Sequence, residues 1–220
     1  MYEDDRLLVL DKPSGMAVHG GSGQRFGVIE GLRALRPKAP FLELVHRLDR
    51  DTSGCLMVAK KRSELRAVHE LLRSGAVKKK YLLLAWGDWS QGPYDIDAPL
   101  KKNQLQGGER LVVVNPEGKQ AHTQFRFLDA YPHASMMEAE LKTGRTHQIR
   151  VHALHAGHPL AGDPKYGDRD WNTILRQQGL KRLFLHAHYV AFQDRERHRE
   201  IEVSAPLSDD LRKLIQQMER

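Results

Sequence analysis

One cysteine, Cys55, in 220 residues rules out an internal disulfide and any metal site built from several thiolates. No apolar run approaches the length needed to cross a bilayer, and the first residues lack the apolar core of a secretory signal. Internal repeats, low-complexity tracts and linkers rich in proline, glycine or serine are also missing. Gly20, Gly21 and Gly23 lack the spacing of a dinucleotide fingerprint or a P-loop. These absences suit a cytosolic protein of one sizeable domain or two small ones.

What is present is ordinary in amount and uneven in sign. Hydrophobic residues make up 40% and charged residues 29%, enough for a soluble chain with a real core. Thirty-five Lys and Arg stand against 28 Asp and Glu, a net charge of +7 with neutral histidines. A basic surface gathers and steers polyanions. A solvated basic protein with no such partner has the same balance, so charge alone leaves both readings open.

Hydrophobic periodicity outlines the elements. Arg6 to Leu10 reads as a strand entering the turn Asp11-Lys12-Pro13-Ser14-Gly15. Val28 to Leu35 has a helical pattern stopped by Arg36-Pro37. Leu42 to Leu48 and Cys55 to Ala59 read as strands around a polar bend, and Ser63 to Leu72 as a helix capped by Ser63. Tyr81 to Ala85 is a strand. Arg110 to Val114 and Ala121 to Leu128 flank Asn115-Pro116-Glu117-Gly118, a hairpin-turn sequence, and Ser135 to Leu141 is a further strand. A helix is expected from Thr146 to Ala156, ended by Gly157. Leu183 to Phe192 and Ile201 to Val203 are late strands, and Ser208 caps a closing helix that runs to Met218. Strands and helices mix without regular βαβ alternation, which gives an α+β fold with a mainly antiparallel mixed sheet and flanking helices.

Two clusters carry chemistry. In His46-Arg47-Leu48-Asp49-Arg50-Asp51-Thr52-Ser53-Gly54, four charged side chains lie between apolar strands at a bend closed by glycine. If residues 46 to 49 are extended, Arg47 and Asp49 share one face and His46 and Leu48 the other. The plain alternative is a surface turn with solvated charges. The second cluster, Thr143-Gly144-Arg145-Thr146-His147-Gln148-Ile149-Arg150-Val151-His152, straddles the start of the expected helix. Backbone N–H groups there suit a phosphate, with Arg145, Thr146 and His147 adding donors. An amphipathic helix with a basic outer face is the alternative.

Both clusters, together with Leu10-Asp11-Lys12-Pro13-Ser14-Gly15-Met16-Ala17-Val18-His19, Lys80-Tyr81, Gly162-Asp163-Pro164-Lys165-Tyr166-Gly167 and Leu185-His186-Ala187, resemble in order and spacing the motifs of the RluA family of pseudouridine synthases. The resemblance covers nearly the whole chain. It implies the family's catalytic fold over residues 1–220, with a central RNA-binding cleft and with the S4-type RNA-binding domain that such enzymes commonly carry absent or truncated. It implies an isomerase converting specific uridines to pseudouridine in large-subunit (23S) ribosomal RNA, as a cytoplasmic monomer using no cofactor and no metal. Asp49 matches the catalytic aspartate. Arg47 matches the arginine that enters the RNA stack, Tyr81 the tyrosine that packs on the displaced base, and Arg150 the arginine that pairs with the aspartate. Leu185 falls near a position that walls the pocket, and Lys80, Arg145, Thr146 and His147 are further expected RNA contacts.

The physics of the implied reaction suits these types. The uridine C1′–N1 bond breaks, the base turns, and C5 rejoins C1′, with no net redox change. A stacked nucleotide is out of reach, so it must be extruded, at a cost of a few kcal/mol. A long planar cation such as Arg47 can fill the gap, and an aromatic face such as Tyr81 contributes about 1–3 kcal/mol per stacked base. Asp49 acts as an anion, by attack on C1′ or by removal of the 2′ proton. Burial alone would neutralise it, and a neighbouring arginine favours the charged form. Loss of Arg150 is therefore expected to damage catalysis more than folding.

Other readings are weaker. Twelve histidines, with His147, His152, His155 and His158 in one stretch and His186 and His188 in another, lack the accompanying motif of a metal site. Asp51-Thr52-Ser53-Gly54 approaches the aspartic-protease motif, but no second copy exists. Lys78-Lys79-Lys80, Lys60-Lys61-Arg62 and Lys101-Lys102 fit a phosphate backbone, and Cys55 fits a packed small hydrophobe. A non-catalytic RNA-binding module would gain nothing from Asp49, and the motifs do not separate ribosomal from transfer RNA as substrate.

Overall fold

The computed structural model describes residues 1–21, 26–104, 110–194 and 197–219; Gly23 lies outside them. In chain order the elements are β1 (Tyr2–Glu3), β2 (Leu7–Lys12), α1 (Val28–Leu35), β3 (Glu43–Leu44), β4 (Ser53–Ala59), α2 (Arg62–Arg73), β5 (Lys78–Trp86) and β6 (Asp95–Asp97). There follow β7 (Leu100–Gln104), β8 (Arg110–Val114), β9 (His122–Tyr131), β10 (Ala134–Leu141), α3 (Gln148–His155), α4 (Arg169–Gln177), β11 (Leu185–Asp194), β12 (Arg199–Ser204) and α5 (Asp209–Met218). They form two compact units, Met1–Lys79 with His186–Pro206, and Lys80–Leu185 with Leu207–Arg220. The pairs β1–β2, β2–β4, β3–β4, β5–β10, β6–β9, β7–β8, β9–β10 and β11–β12 are antiparallel and β4–β11 is parallel, in keeping with the expected α+β class. Among the described residues no helix is long and apolar enough to cross a membrane.

In the first unit the strand order is β1-β2-β4-β11, with β12 on β11 and β3 on β4. All of β4 is buried because both its faces are covered. Cys55, Met57 and Ala59 point with Leu7 and Val9 toward Val68 and Leu71 of α2. Val58 and Leu8 point the other way, toward Ile29 and Leu32 of α1. Each such leucine or isoleucine contributes about 1.5–3 kcal/mol on leaving water. Cys55 is 2% exposed, and burial pushes its thiol up to about 11, the behaviour of a packed group. Helix α1 is capped at its start by Gly27, whose N–H donates to Glu30 Oε2 at 2.8 Å.

In the second unit β5, β10, β9 and β6 lie side by side, and β7 and β8 form a separate two-stranded sheet. One apolar cluster joins Leu84, Met136 and Phe184 to Trp171 and Leu175 of α4 and Leu211 and Leu214 of α5. Another joins Leu100, Val112 and Ala121 to Val151 of α3 and to Tyr166. Helix α3 is buried at six consecutive residues, Gln148 to Ala153, so it is a core helix and not the amphipathic one considered above. It ends as expected at Gly157 (φ +89°), with His158 N–H on Ala153 O and Gly157 N–H on Leu154 O, both 2.9 Å.

Several local expectations are not met. The strand expected over Leu42–Leu48 is only Glu43–Leu44, because the ladder is cut short when the His46 ring accepts the Met57 N–H at 3.1 Å. The cap of α2 is Lys61, not Ser63. The turn at Asn115–Gly118 forms, with Gly118 N–H on Asn115 O at 2.8 Å, but it joins no hairpin: β8 pairs with β7, and β9 with β10 and β6. Helix α3 begins at Gln148, not Thr146, because His147 sits in the left-handed region at φ 54°.

Candidate active site

Asp49 lies in a turn of the first unit that is tied down from beneath. Leu48, 6% exposed, is its apolar anchor. The Thr52 N–H closes the turn on Asp49 O at 3.1 Å. Lys12, 1% exposed, reaches under it and donates to the carbonyls of Pro13 (2.8 Å), Met16 (2.8 Å) and Arg50 (2.9 Å). Gly15 N–H also donates to Arg50 O at 2.9 Å, and Ser14 Oγ to Asp51 O at 2.7 Å. The Lys12-Pro13-Ser14-Gly15 segment is thus a clamp for the acidic turn. Arg47 is exposed and Asp49 half-buried, and neither lies on a strand, so the shared strand face expected for them does not form. Arg50 pairs with Asp51 at 3.0 Å.

Polar contacts flank this turn on both sides. Burial, reinforced by the Lys79 charge, pushes His46 down to about 4, so its ring stays uncharged and accepts the Met57 N–H. Ser53 Oγ is 2.8 Å from His186 Nδ1, and His186 Nε2 donates to Ala205 O at 3.2 Å. Gly54 has φ +103°, and a Cβ there would lie 2.2 Å from Ala187 O. Only glycine permits β4 and β11 to approach so closely.

In the second unit Tyr81 is 6% exposed on β5, opposite Ala139 of β10. Lys80 donates to Glu138 Oε1 at 3.2 Å, and Arg126 shares that carboxylate. Lys80 thus carries an ion pair within its own unit. Leu185 is 4% exposed. Arg145 is exposed, its Nε donating to Gln120 O at 2.9 Å, and Thr146 and His147 are half-buried. Gln148 anchors the loop before α3: its Oε1 accepts from Thr143 Oγ1 (2.8 Å) and Arg145 N–H (2.9 Å), and its Nε2 donates to His122 O and Thr123 Oγ1 (both 2.9 Å). His152 lies between Thr123 Oγ1 and Ala98 O at 2.9 Å each.

Arg150 is buried, at 5% exposure, and forms a two-point ion pair with Asp163, Nε to Oδ2 at 2.7 Å and Nη2 to Oδ1 at 2.8 Å. Burial pushes the Asp163 carboxyl up, but the bonds and charge of Arg150 and the N–H groups of Lys165 and Tyr166 outweigh it and hold it below the usual range. Arg150 thus has a structural duty beside the role expected of it. Removing it strands a buried carboxylate, which costs about 3–5 kcal/mol, so folding suffers along with any catalytic loss. Asp163 and Tyr166, like Lys12, His46 and Gln148, were visible only as members of motif blocks. Their roles depend on partners far off in sequence, such as Arg50 for Lys12.

The profile of the RNA pseudouridylate synthase family matches residues 6–155. A ribosomal large subunit pseudouridine synthase C of Haemophilus ducreyi is 55% identical over 215 residues, 98% of this chain and 67% of that protein. The synthase C of Yersinia pestis is 57% identical over 212 residues, 96% of this chain and 66% of that protein. The chain therefore spans about two thirds of the length of these relatives. Among solved structures, human RNA Pseudouridylate Synthase Domain Containing 4 superimposes with a TM-score of 0.79 at 26% identity, covering 99% of this chain and 92% of that one. Motifs, fold and relatives converge, and the chain belongs to the RNA pseudouridylate synthase family.

Proposed function

We propose that the chain is the catalytic part of a pseudouridine synthase acting on large-subunit ribosomal RNA, as a cytoplasmic monomer that uses neither metal nor cofactor. The observation that carries this reading is identity above one half, along 96% of the chain or more, with relatives that bear that name. Asp49 is the catalytic carboxylate, acting on the ribose of a uridine extruded from its helix. Arg47, exposed on the same turn, fills the space the base leaves. Tyr81 and Leu185 take the displaced base, and Arg150 is the arginine that the family resemblance assigns to the catalytic aspartate. Arg145, Thr146, His147 and Lys80 attend the RNA backbone. The clamp of Lys12 beneath the turn supports the reading, because a carboxylate that must meet one sugar carbon has to be held still.

The test is conversion of uridine in 23S ribosomal RNA transcripts by the purified chain, with transfer RNA in parallel. Asp49→Asn should fold normally, bind RNA and form no pseudouridine. Conversion of transfer RNA alone, or undiminished turnover by Asp49→Asn, contradicts the proposal.

A further inference from the structure

Arg150 is constrained on one edge and on one face. Its side-on edge, Nε and Nη2, is taken by the two oxygens of Asp163. Its face lies over the Tyr166 ring, with Cζ 4.9 Å from the centroid. Both partners are themselves fixed. Asp163, 1% exposed, accepts the N–H groups of Lys165 (2.9 Å) and Tyr166 (3.0 Å) on Oδ1. The Tyr166 hydroxyl accepts the Val112 N–H at 2.9 Å and lies 2.8 Å from His147 Nδ1. The turn that carries them admits no side chain at either end. A Cβ at Gly162 (φ +69°) would lie 2.0 Å from Arg182 O, and one at Gly167 would lie 2.5 Å from Asp163 O.

Stability alone does not explain this arrangement. A buried ion pair is often no better for stability than an apolar pair of the same volume. What the arrangement does supply is direction. A guanidinium is planar and rigid, so once its side-on edge and one face are held, its end-on edge, Nη1 and Nη2, points one way only. We propose that Asp163 and Tyr166 are positioning residues of the pseudouridine synthase reaction, which aim the end-on edge of Arg150 and so set the direction from which its charge acts. The inference rests on the function proposed above and goes beyond it, by assigning to the Gly162–Gly167 turn a task in the chemistry.

The experiment compares the full chain with Asp163→Asn, Tyr166→Phe and, as a stability control, Leu175→Ala, a buried leucine of α4. Single-turnover rate against pH, RNA affinity, urea midpoint and hydrogen exchange at the Arg150 Nε–H are measured on each. Asparagine keeps the shape of Asp163 but turns an N–H₂ group toward a donor. Its single-turnover rate should fall about 100-fold, the cost of a small misplacement, while RNA affinity stays within about threefold. The acid limb of its rate profile should move to higher pH, and its Arg150 Nε–H should exchange faster. Tyr166→Phe, which keeps the ring but frees it from Val112, should lose about tenfold in rate. Leu175→Ala should lose stability and keep its rate. Asp163→Asn turning over at the wild-type rate, or losing rate only as its folded fraction falls, overturns the proposal. If Asp163→Asn does not fold, Tyr166→Phe decides, and an unchanged rate with unchanged Nε–H exchange overturns it. A wild-type chain inactive on RNA instead defeats the functional reading, and the exchange data still show whether Asp163 holds Arg150.

Discussion

Lys12, 1% exposed, has three ammonium N–H bonds, and each of the carbonyls of Pro13, Met16 and Arg50 receives one. Such a cation crosslinks two segments of chain 38 residues apart. Lys12→Met keeps the length and removes all three bonds, taking this donor from the Pro13 and Met16 carbonyls and leaving the Arg50 carbonyl with the Gly15 N–H alone. The expected loss is about 3 kcal/mol of stability, read from the urea midpoint, with a fall in turnover larger than the fall in folded protein, because the Asp49 turn loosens. Turnover that simply follows folded fraction would mean the clamp serves the fold alone. The motif containing Lys12 stood out in the sequence, but its duty did not, since a lysine beside Pro-Ser-Gly reads as a solvated turn residue until Arg50 is brought to it.

At the scale of elements, local signals served best where caps and breakers act within a few residues. The limits of α1 and the stop of α3 at Gly157 follow from such signals. Helix α4 shows the same logic at its start: Asp168 Oδ1 accepts the Trp171 N–H at 2.7 Å. Asp168→Ala should lower stability by about 1 kcal/mol, measured by urea titration, with single-turnover rate unchanged at a temperature where the variant is folded. Elements were misjudged where long-range partners decide. The strand after Leu42 stops because a histidine ring takes the place of a backbone acceptor. The hairpin expected around Asn115–Gly118 is missing because Leu100–Gln104, unremarkable in sequence, pairs with Arg110–Val114.

Across the whole molecule, buried and paired titratable groups set how stability depends on pH. His46 is pushed down to about 4, by burial first and by Lys79 second, and His152 is pushed down chiefly by burial. The unfolded chain therefore binds protons at these sites before the native state does. Their contribution is complete above the ordinary histidine value and is lost as pH falls below it, for His46 toward about 4. Glu3 is held at about 2 by Arg36 and Lys60, and Asp5 at about 2 by Lys61 and Arg197. Their contribution is present above the ordinary carboxylate range and disappears as pH falls toward 2. Urea midpoints should thus decline in two stages on acidification, and His46→Gln should flatten the first stage only. A first stage of undiminished slope in that variant would assign the effect elsewhere.

By itself the sequence determined the family, the α+β class, most element positions and the identity of the acidic turn, because these reside in periodicity, turn chemistry and motif spacing, all local properties. Tertiary structure alone decided which buried polar side chains find each other: Lys12 beneath the Asp49 turn, His46 ending a strand, Gln148 bracing the loop before α3, and Asp163 with Tyr166 around Arg150. The reason is physical. A buried polar group must find its partner, and folding can bring that partner from anywhere along the chain, at a position no local pattern records.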